Sequence, residues 1–216
     1  MLKLRLPNWT RFSLRTLFVL MTLCCILFGA WSVYVNPYRL QAQSLAAVNR
    51  LQGNSAKLPA EGPAWHRWLV TKFLGDDAFT KVTQVDLAGR QVDDAAFRAL
   101  TGLKNLETIS LDNTQITDAS ADVFRSMPAL ASASLRYTNI SDHTAANLAA
   151  LPRLHNLVLT GTKITDAAVD KLAQQTALKE LFIRWTKITD DGAARLAAAL
   201  PKCTINFHAL VAESHP

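Results

Sequence analysis

The chain is poor in cysteine, glycine and proline. Three cysteines in 216 residues exclude a disulfide-stapled mini-domain. Eight glycines and eight prolines exclude collagen-like and Pro-rich fibrous sequence. The first 35 residues contain no acid; their only charges are Lys3, Arg5, Arg11 and Arg15. Most of the formal net charge of +6 therefore sits in a short arm, and the remainder of the chain is close to neutral. A nucleic-acid footprint would cluster on the folded domain, so no nucleic-acid partner is expected. G-x-S-x-G, H-E-x-x-H, a P-loop and a Cys/His ligand cluster are all missing, so neither catalysis nor a cofactor or metal is expected. What is abundant is apolar: 50% of residues are hydrophobic, which excludes a wholly disordered chain.

Residues 17–35 read LFVLMTLCCILFGAWSVYV, without a charge. As a helix this run would be about 28 Å long, close to the thickness of a bilayer's hydrocarbon core. The four cations precede it, and Trp31, Tyr34 and Tyr38 sit near its far end. Basic flank inside and aromatics at the interface predict a retained transmembrane anchor in the cytoplasmic membrane, N-terminus inside and the rest outside. A cleaved signal peptide fits less well: its apolar core would be shorter, and cleavage after Ala30 would put Phe28 at the −3 position, where a small residue is needed. Cys24 and Cys25 read as small apolar residues of that helix, and Cys203 as a packed thiol.

Beyond the linker the chain repeats. LETISLDNTQITDASADVFRSMPA starts at Leu106, and comparable copies start at Leu130, Leu154 and Leu178. A weaker copy starts at Val82, and CTINF near the end keeps the register. The pattern L-x-x-L-x-L-x-x-T-x-I-T-D, followed by a helical stretch, returns every 24 residues. It resembles the leucine-rich-repeat family, in the ITD form with Thr where one subtype carries Cys. The full arrangement is similar to bacterial membrane-anchored proteins of that family.

The physics of the pattern stands without the name. Leu106, Ile109, Leu111 and Ile116 point inward from a strand and its turn, and Leu100, Phe124, Leu148, Leu172 and Leu196 form a second column on the helical side. One repeat cannot bury these residues alone, but a stack can. The expected fold is α/β: a short right-handed solenoid, with a parallel sheet on the concave face and helices on the convex face. The expected organisation is a basic arm at 1–16, an anchor at 17–35, a linker helix and N-terminal cap at 36–81, repeats at 82–207 and a tail at 208–216. In the linker, Leu40, Ala42, Leu45, Ala46, Val48 and Leu51 make a helical stripe that Gly53 would end. Trp65, Trp68, Leu69, Phe73, Leu74 and Phe79 are expected to fill the cap's core, since an uncovered first strand would be an aggregation edge. Asp94, Asp118, Asp142, Asp166 and Asp190 are expected to cap the helices that follow them. Thr114, Thr138, Thr162 and Thr186 are expected to bond loop backbone groups after each strand.

The remaining signal lies at the exposed positions. The fifth, seventh and eighth residues of the repeats change from small and acidic to aromatic and basic toward the C-terminus. Arg136, Tyr137, His155, Phe182, Arg184 and Trp185 form the candidate binding patch. Trp, Tyr and Arg dominate interface hot spots, and Phe182 and Trp185 are not needed for the core. Solenoids of the resembled family commonly serve as interaction scaffolds, so a non-catalytic binding role with a protein partner is expected. A carbohydrate-binding envelope protein is the first alternative. A ubiquitin-ligase-type substrate adaptor is the second, and it lacks an F-box-like segment here.

Overall fold

The computed structural model describes residues 14–75 and 79–207; the arm at 1–13 and the tail at 208–216 lie outside them, as do the side chains of residues 14–16, 30, 33, 34 and 37. Helix α1 (Leu14–Tyr34) leads into α2 (Asn36–Arg50), strand β1 (Asn54–Pro59) and α3 (Ala64–Leu74). The repeats then supply β2 (Thr80–Asp86), β3 (Thr108–Ser110), β4 (Ser132–Ser134), β5 (Asn156–Val158), β6 (Glu180–Phe182) and β7 (Thr204–Asn206). Between these strands lie α4 (Asp94–Arg98), a 3-10 helix at Asp118–Ser126, α5 (Asp142–Ala149), a short 3-10 turn running into α6 (Val169–Leu172), and α7 (Asp190–Ala199). All seven strands form one sheet in sequence order. β2 to β7 are parallel, and Thr108 pairs Ser132, Asn156 pairs Glu180, and Glu180 pairs Thr204, one repeat apart each time.

The core follows the two columns read from the sequence. Ile109, Ala133, Leu157 and Leu181 are buried under the strands, and Leu100, Phe124, Leu148, Leu172 and Leu196 are buried under the helices. Phe97 and Phe124 meet with ring centroids 4.9 Å apart. The threonine column is structural as expected. The buried hydroxyls of Thr114, Thr138, Thr162 and Thr186 donate to the carbonyls of Leu111, Leu135, Leu159 and Ile183 at 2.6, 2.8, 2.6 and 2.9 Å.

The aspartate column works differently from the expectation. Each Asp is the first residue of its helical segment, and the cap is the residue before it: Asp93, Thr117, Ser141, Thr165 and Thr189. The Asp carboxylate instead reaches one repeat forward. Asp94 accepts from the Thr117 N–H at 2.8 Å and the Thr117 hydroxyl at 2.7 Å. Asp142 does the same with Thr165, and Asp166 with Thr189. Asp118 accepts from Ser141 and also from Thr144. The period of 24 stacks each carboxylate beside the next cap, so the column staples layer to layer rather than capping within one. Burial alone would raise the Asp94 and Asp118 carboxyls, but the bonds from Ser120 and Thr117, and from Ser141 and Thr144, hold both below the ordinary carboxylate value.

The cap is built from α2 and β1. β1 pairs antiparallel with β2, covering the edge of the first repeat. From α2, Leu45 and Val48 enter the repeat core, with Gln41 and Ser44 buried on the same side. The inward face is therefore 41, 44, 45 and 48; Leu40 and Ala46 point out. The Ser44 hydroxyl donates to the Ala99 carbonyl at 2.7 Å and accepts from the Gly102 N–H at 3.1 Å. After α2, Gln52 adopts a left-handed conformation. Gly53 lets the chain pass Leu87, whose Cδ2 would be 2.4 Å from any Cβ there.

One expectation for the N-terminal region is not shown, and a second needs correction. Among the described residues, no helix is long and apolar enough to cross a membrane. The spanning role expected for 17–35 is therefore not shown. The cap aromatics also divide. Phe79 is buried beside Val70, but Trp65, Trp68 and Phe73 are 55%, 60% and 68% exposed. Only one side of α3 has a protein surface to pack against, because β1 and α2 already seal the first repeat.

Candidate binding face

The repeat dictates where exposed side chains go. Within each strand, Ile109, Ala133, Leu157 and Leu181 face the core, so their neighbours face out. After each strand the chain turns through a column of left-handed residues: Gly89, Asn113, Tyr137, Gly161 and Trp185, with φ of 67°, 57°, 54°, 72° and 55°. Their N–H groups extend the ladder beyond the strands. Gly89 donates to the Asp112 carbonyl at 2.8 Å, Asn113 to Arg136 at 2.8 Å, Tyr137 to Thr160 at 2.9 Å and Gly161 to Arg184 at 2.8 Å. Gly and Asn adopt this conformation readily; an aromatic residue there is an outlier.

Tyr137 and Trp185 nevertheless occupy it, and both remain exposed, at 49% and 43%. They stand two repeats apart, yet their rings stack with centroids 6.1 Å apart and planes 28° from parallel. Gly161 makes this contact geometrically accessible. A Cβ on Gly161 would lie 2.4 Å from Tyr137 Cδ1 and 2.6 Å from Cε1, so the tyrosine ring rests over bare backbone. The Arg184 guanidinium stands 5.4 Å from the centroid of the Trp185 ring, completing a cationic edge.

Arg136 is turned the other way. Its Nε lies 3.8 Å from Asp112 Oδ2, while Asp112 Oδ1 accepts from the Ser134 hydroxyl at 2.6 Å and the Arg136 N–H at 2.8 Å. Phe182 ends β6 on the outward face and is half-buried. His155 precedes β5, whereas the aromatic pair follows β4 and β6. The structure thus brings Tyr137, Arg184 and Trp185 together, with Arg136 and Phe182 beside them. It leaves His155 at the opposite edge of the sheet. The platform lies at the edge where strands end, not on the sheet face itself. The signal for this was in the sequence: Gly89, Asn113 and Gly161 share one column, and those are the residue types that mark left-handed turns.

A second cleft, of 580 Å³, lies between cap and repeats and is lined by Tyr38, Glu61, His66, Lys81 and Lys104 among others. His66 is packed edge-on against Tyr38 and Phe79, with centroids 5.3 and 5.4 Å away. Among the described residues no group of three His, Cys, Asp or Glu side chains could hold a metal ion. Cys203 is half-buried against the core, and burial together with the nearby Glu180 raises its thiol. That makes it a poor nucleophile.

The leucine rich repeat family model matches residues 104–164, which supports leucine-rich repeats in that stretch. Among solved structures the chain is similar to internalin C2 of Listeria monocytogenes, at 25% identity and a TM-score of 0.50, over 62% of this chain and 54% of that one. The chain thus spans about half the length of that internalin. A leucine-rich-repeat protein of Leptospira interrogans aligns at 21% identity and a TM-score of 0.39, over 51% of this chain and 33% of that one. No curated protein matches.

Proposed function

We propose that the chain is a non-catalytic binding scaffold whose repeat domain captures a protein partner through the platform of Tyr137, Arg184 and Trp185. Leucine-rich-repeat proteins generally mediate protein–protein interaction, which supports the class of the function. The observation that carries the site is the stacked, half-exposed aromatic pair held on left-handed backbone. Two bulky residues at positions comfortable only for Gly or Asn represent stored strain of about 1–2 kcal/mol each. The core does not need them, so a surface role is the economical explanation. Rigid aromatics with a flanking arginine are the side chains that anchor interfaces. Phe182 and Arg136 would extend the contact, and Asp112 would orient Arg136.

The domain is further proposed to sit outside the cytoplasmic membrane, tethered by the N-terminal helix. Support comes from the acid-free basic arm before the apolar run and from α1, whose described side chains from 17 to 29 are all exposed. A carbohydrate ligand is the second reading, since flat aromatic surfaces also stack on sugar rings. Pull-down with the full chain, native against Y137A/W185A, tests the site. Capture lost in the variant supports it, and capture unchanged refutes it. Binding to a glycan array, lost in the same variant, would favour the second reading.

A further inference from the structure

We infer that α3 is an interfacial helix, seated in the lipid bilayer beside α1, so that the membrane itself orients the repeat domain. This rests on the proposed membrane tether. At about 100° per residue, Trp65, Trp68, Leu69, Lys72 and Phe73 share one side of α3, and His66, Val70 and Leu74 share the next. The second side is packed: Val70 is fully buried with Phe79, and Tyr38 and Leu74 pack against that pair. The first side is open: Trp65, Trp68 and Phe73 are the most exposed aromatic rings of the described residues outside α1.

That open side faces α1. Trp65, Leu69 and Phe73, spaced four apart, line an apolar groove of 680 Å³ whose other wall is Cys24, Leu27, Phe28, Trp31 and Val35. The groove runs alongside the C-terminal two-thirds of the apolar run, from Cys24 to Val35. Its occupant is argued from α1. Leu17, Phe18, Val19, Leu20 and Met21 are consecutive, cover more than one full turn, and are all exposed. A protein partner covers one stripe of a helix; an environment that satisfies an apolar helix on every side is lipid. The groove is continuous with that surface, so the same solvent fills it. The side chains of α3 agree. Tryptophan is the residue of the membrane interface. Lys72, the one cation within the apolar arc, holds its ammonium 5.2 Å from the Trp68 ring centroid on a stem long enough to reach the headgroups. Arg67 and Thr71 lie between the two sides, where water and headgroups begin.

The test uses the full native chain in mixed phosphatidylcholine–phosphatidylglycerol vesicles, with hydroxyl-radical footprinting read residue by residue. Trp65, Trp68 and Phe73 are expected to oxidise several-fold more slowly than Trp185, which serves as the water-exposed reference in the same molecule. Oxidation at the rate of Trp185, in a chain that co-sediments with the vesicles, overturns the interfacial seat and leaves the tether standing. A chain that does not co-sediment overturns both. Protection by a second copy is separated by bromine-labelled lipids, using W9F/W31F/W185F, which retains only Trp65 and Trp68. Quenching of that emission supports the bilayer as occupant, and protection without quenching overturns it.

Discussion

Gly161→Ala probes the platform without touching either aromatic ring. Two costs follow from the structure. The backbone at Gly161 has φ of 72°, which costs a residue with a Cβ about 1–2 kcal/mol. The new methyl would also lie 2.4 Å from Tyr137 Cδ1, so the ring must leave its place over residue 161. That forfeits its stacking with Trp185, worth about 0.5–1.5 kcal/mol. The sum is about 1.5–3.5 kcal/mol. Gly89→Ala provides an internal control: its φ is 67° and nothing lies within 4 Å of the added Cβ. It should show the backbone cost alone. The measurement is thermal or urea unfolding of both variants, with near-ultraviolet circular dichroism to report the aromatic pair. Gly161→Ala should be the less stable of the two by about 1 kcal/mol and should lose the aromatic signal, whereas Gly89→Ala keeps it. Equal stabilities with an unchanged aromatic signal in both would refute the placement of the Tyr137 ring.

Other consequences concern the layers beneath. Asp118→Ala leaves the Ser141 and Thr144 N–H groups without their acceptor and should cost about 2–3 kcal/mol in urea unfolding. Because the Asp94 and Asp118 carboxyls are held low in the folded state, the folded chain binds fewer protons than the unfolded one. Their contribution is therefore fully present above the unfolded value of about 3.9 and is lost as the pH falls through the lower folded values. Urea midpoints should be level from neutral pH to about 5 and drop below about 4, with a shallower drop in Asp118→Asn. Leu148→Ala, in the buried helical column, should cost about 2–5 kcal/mol. Trp185→Gly relieves a left-handed backbone while losing one ring contact, so its stability should stay within about 1 kcal/mol of native while partner capture is lost.

Much of the architecture was legible because a solenoid writes its geometry into its period. Leu100, Phe124, Leu148, Leu172 and Leu196 recur at one spacing, and that spacing alone places them in one buried column. The threonines were readable for the same reason. The aspartates were misassigned because capping was considered within a single repeat. Asp94 is adjacent in sequence to its own helix but adjacent in space to Thr117 of the next layer. The cap was misjudged for a related reason. Hydrophobicity marks Trp65, Trp68 and Phe73 as residues avoiding water, but it does not say what they touch. β1, a strand without a β-branched residue, took the covering role through its pairing with β2. At the candidate site, residue type pointed to Tyr137, Arg184 and Trp185. It could not separate His155, which is close in the repeat pattern but lies before the strand rather than after it.

The central claim is that a partner docks on the Tyr137–Trp185 platform. A photo-crosslinking amino acid placed at position 137 of the full chain, in the native cell, tests this most directly. The same probe at Arg125, an exposed residue on the helical side, is the reference. The account predicts a discrete adduct from position 137, absent from position 125 and abolished by Trp185→Ala. An adduct from position 125 with none from position 137 would contradict it.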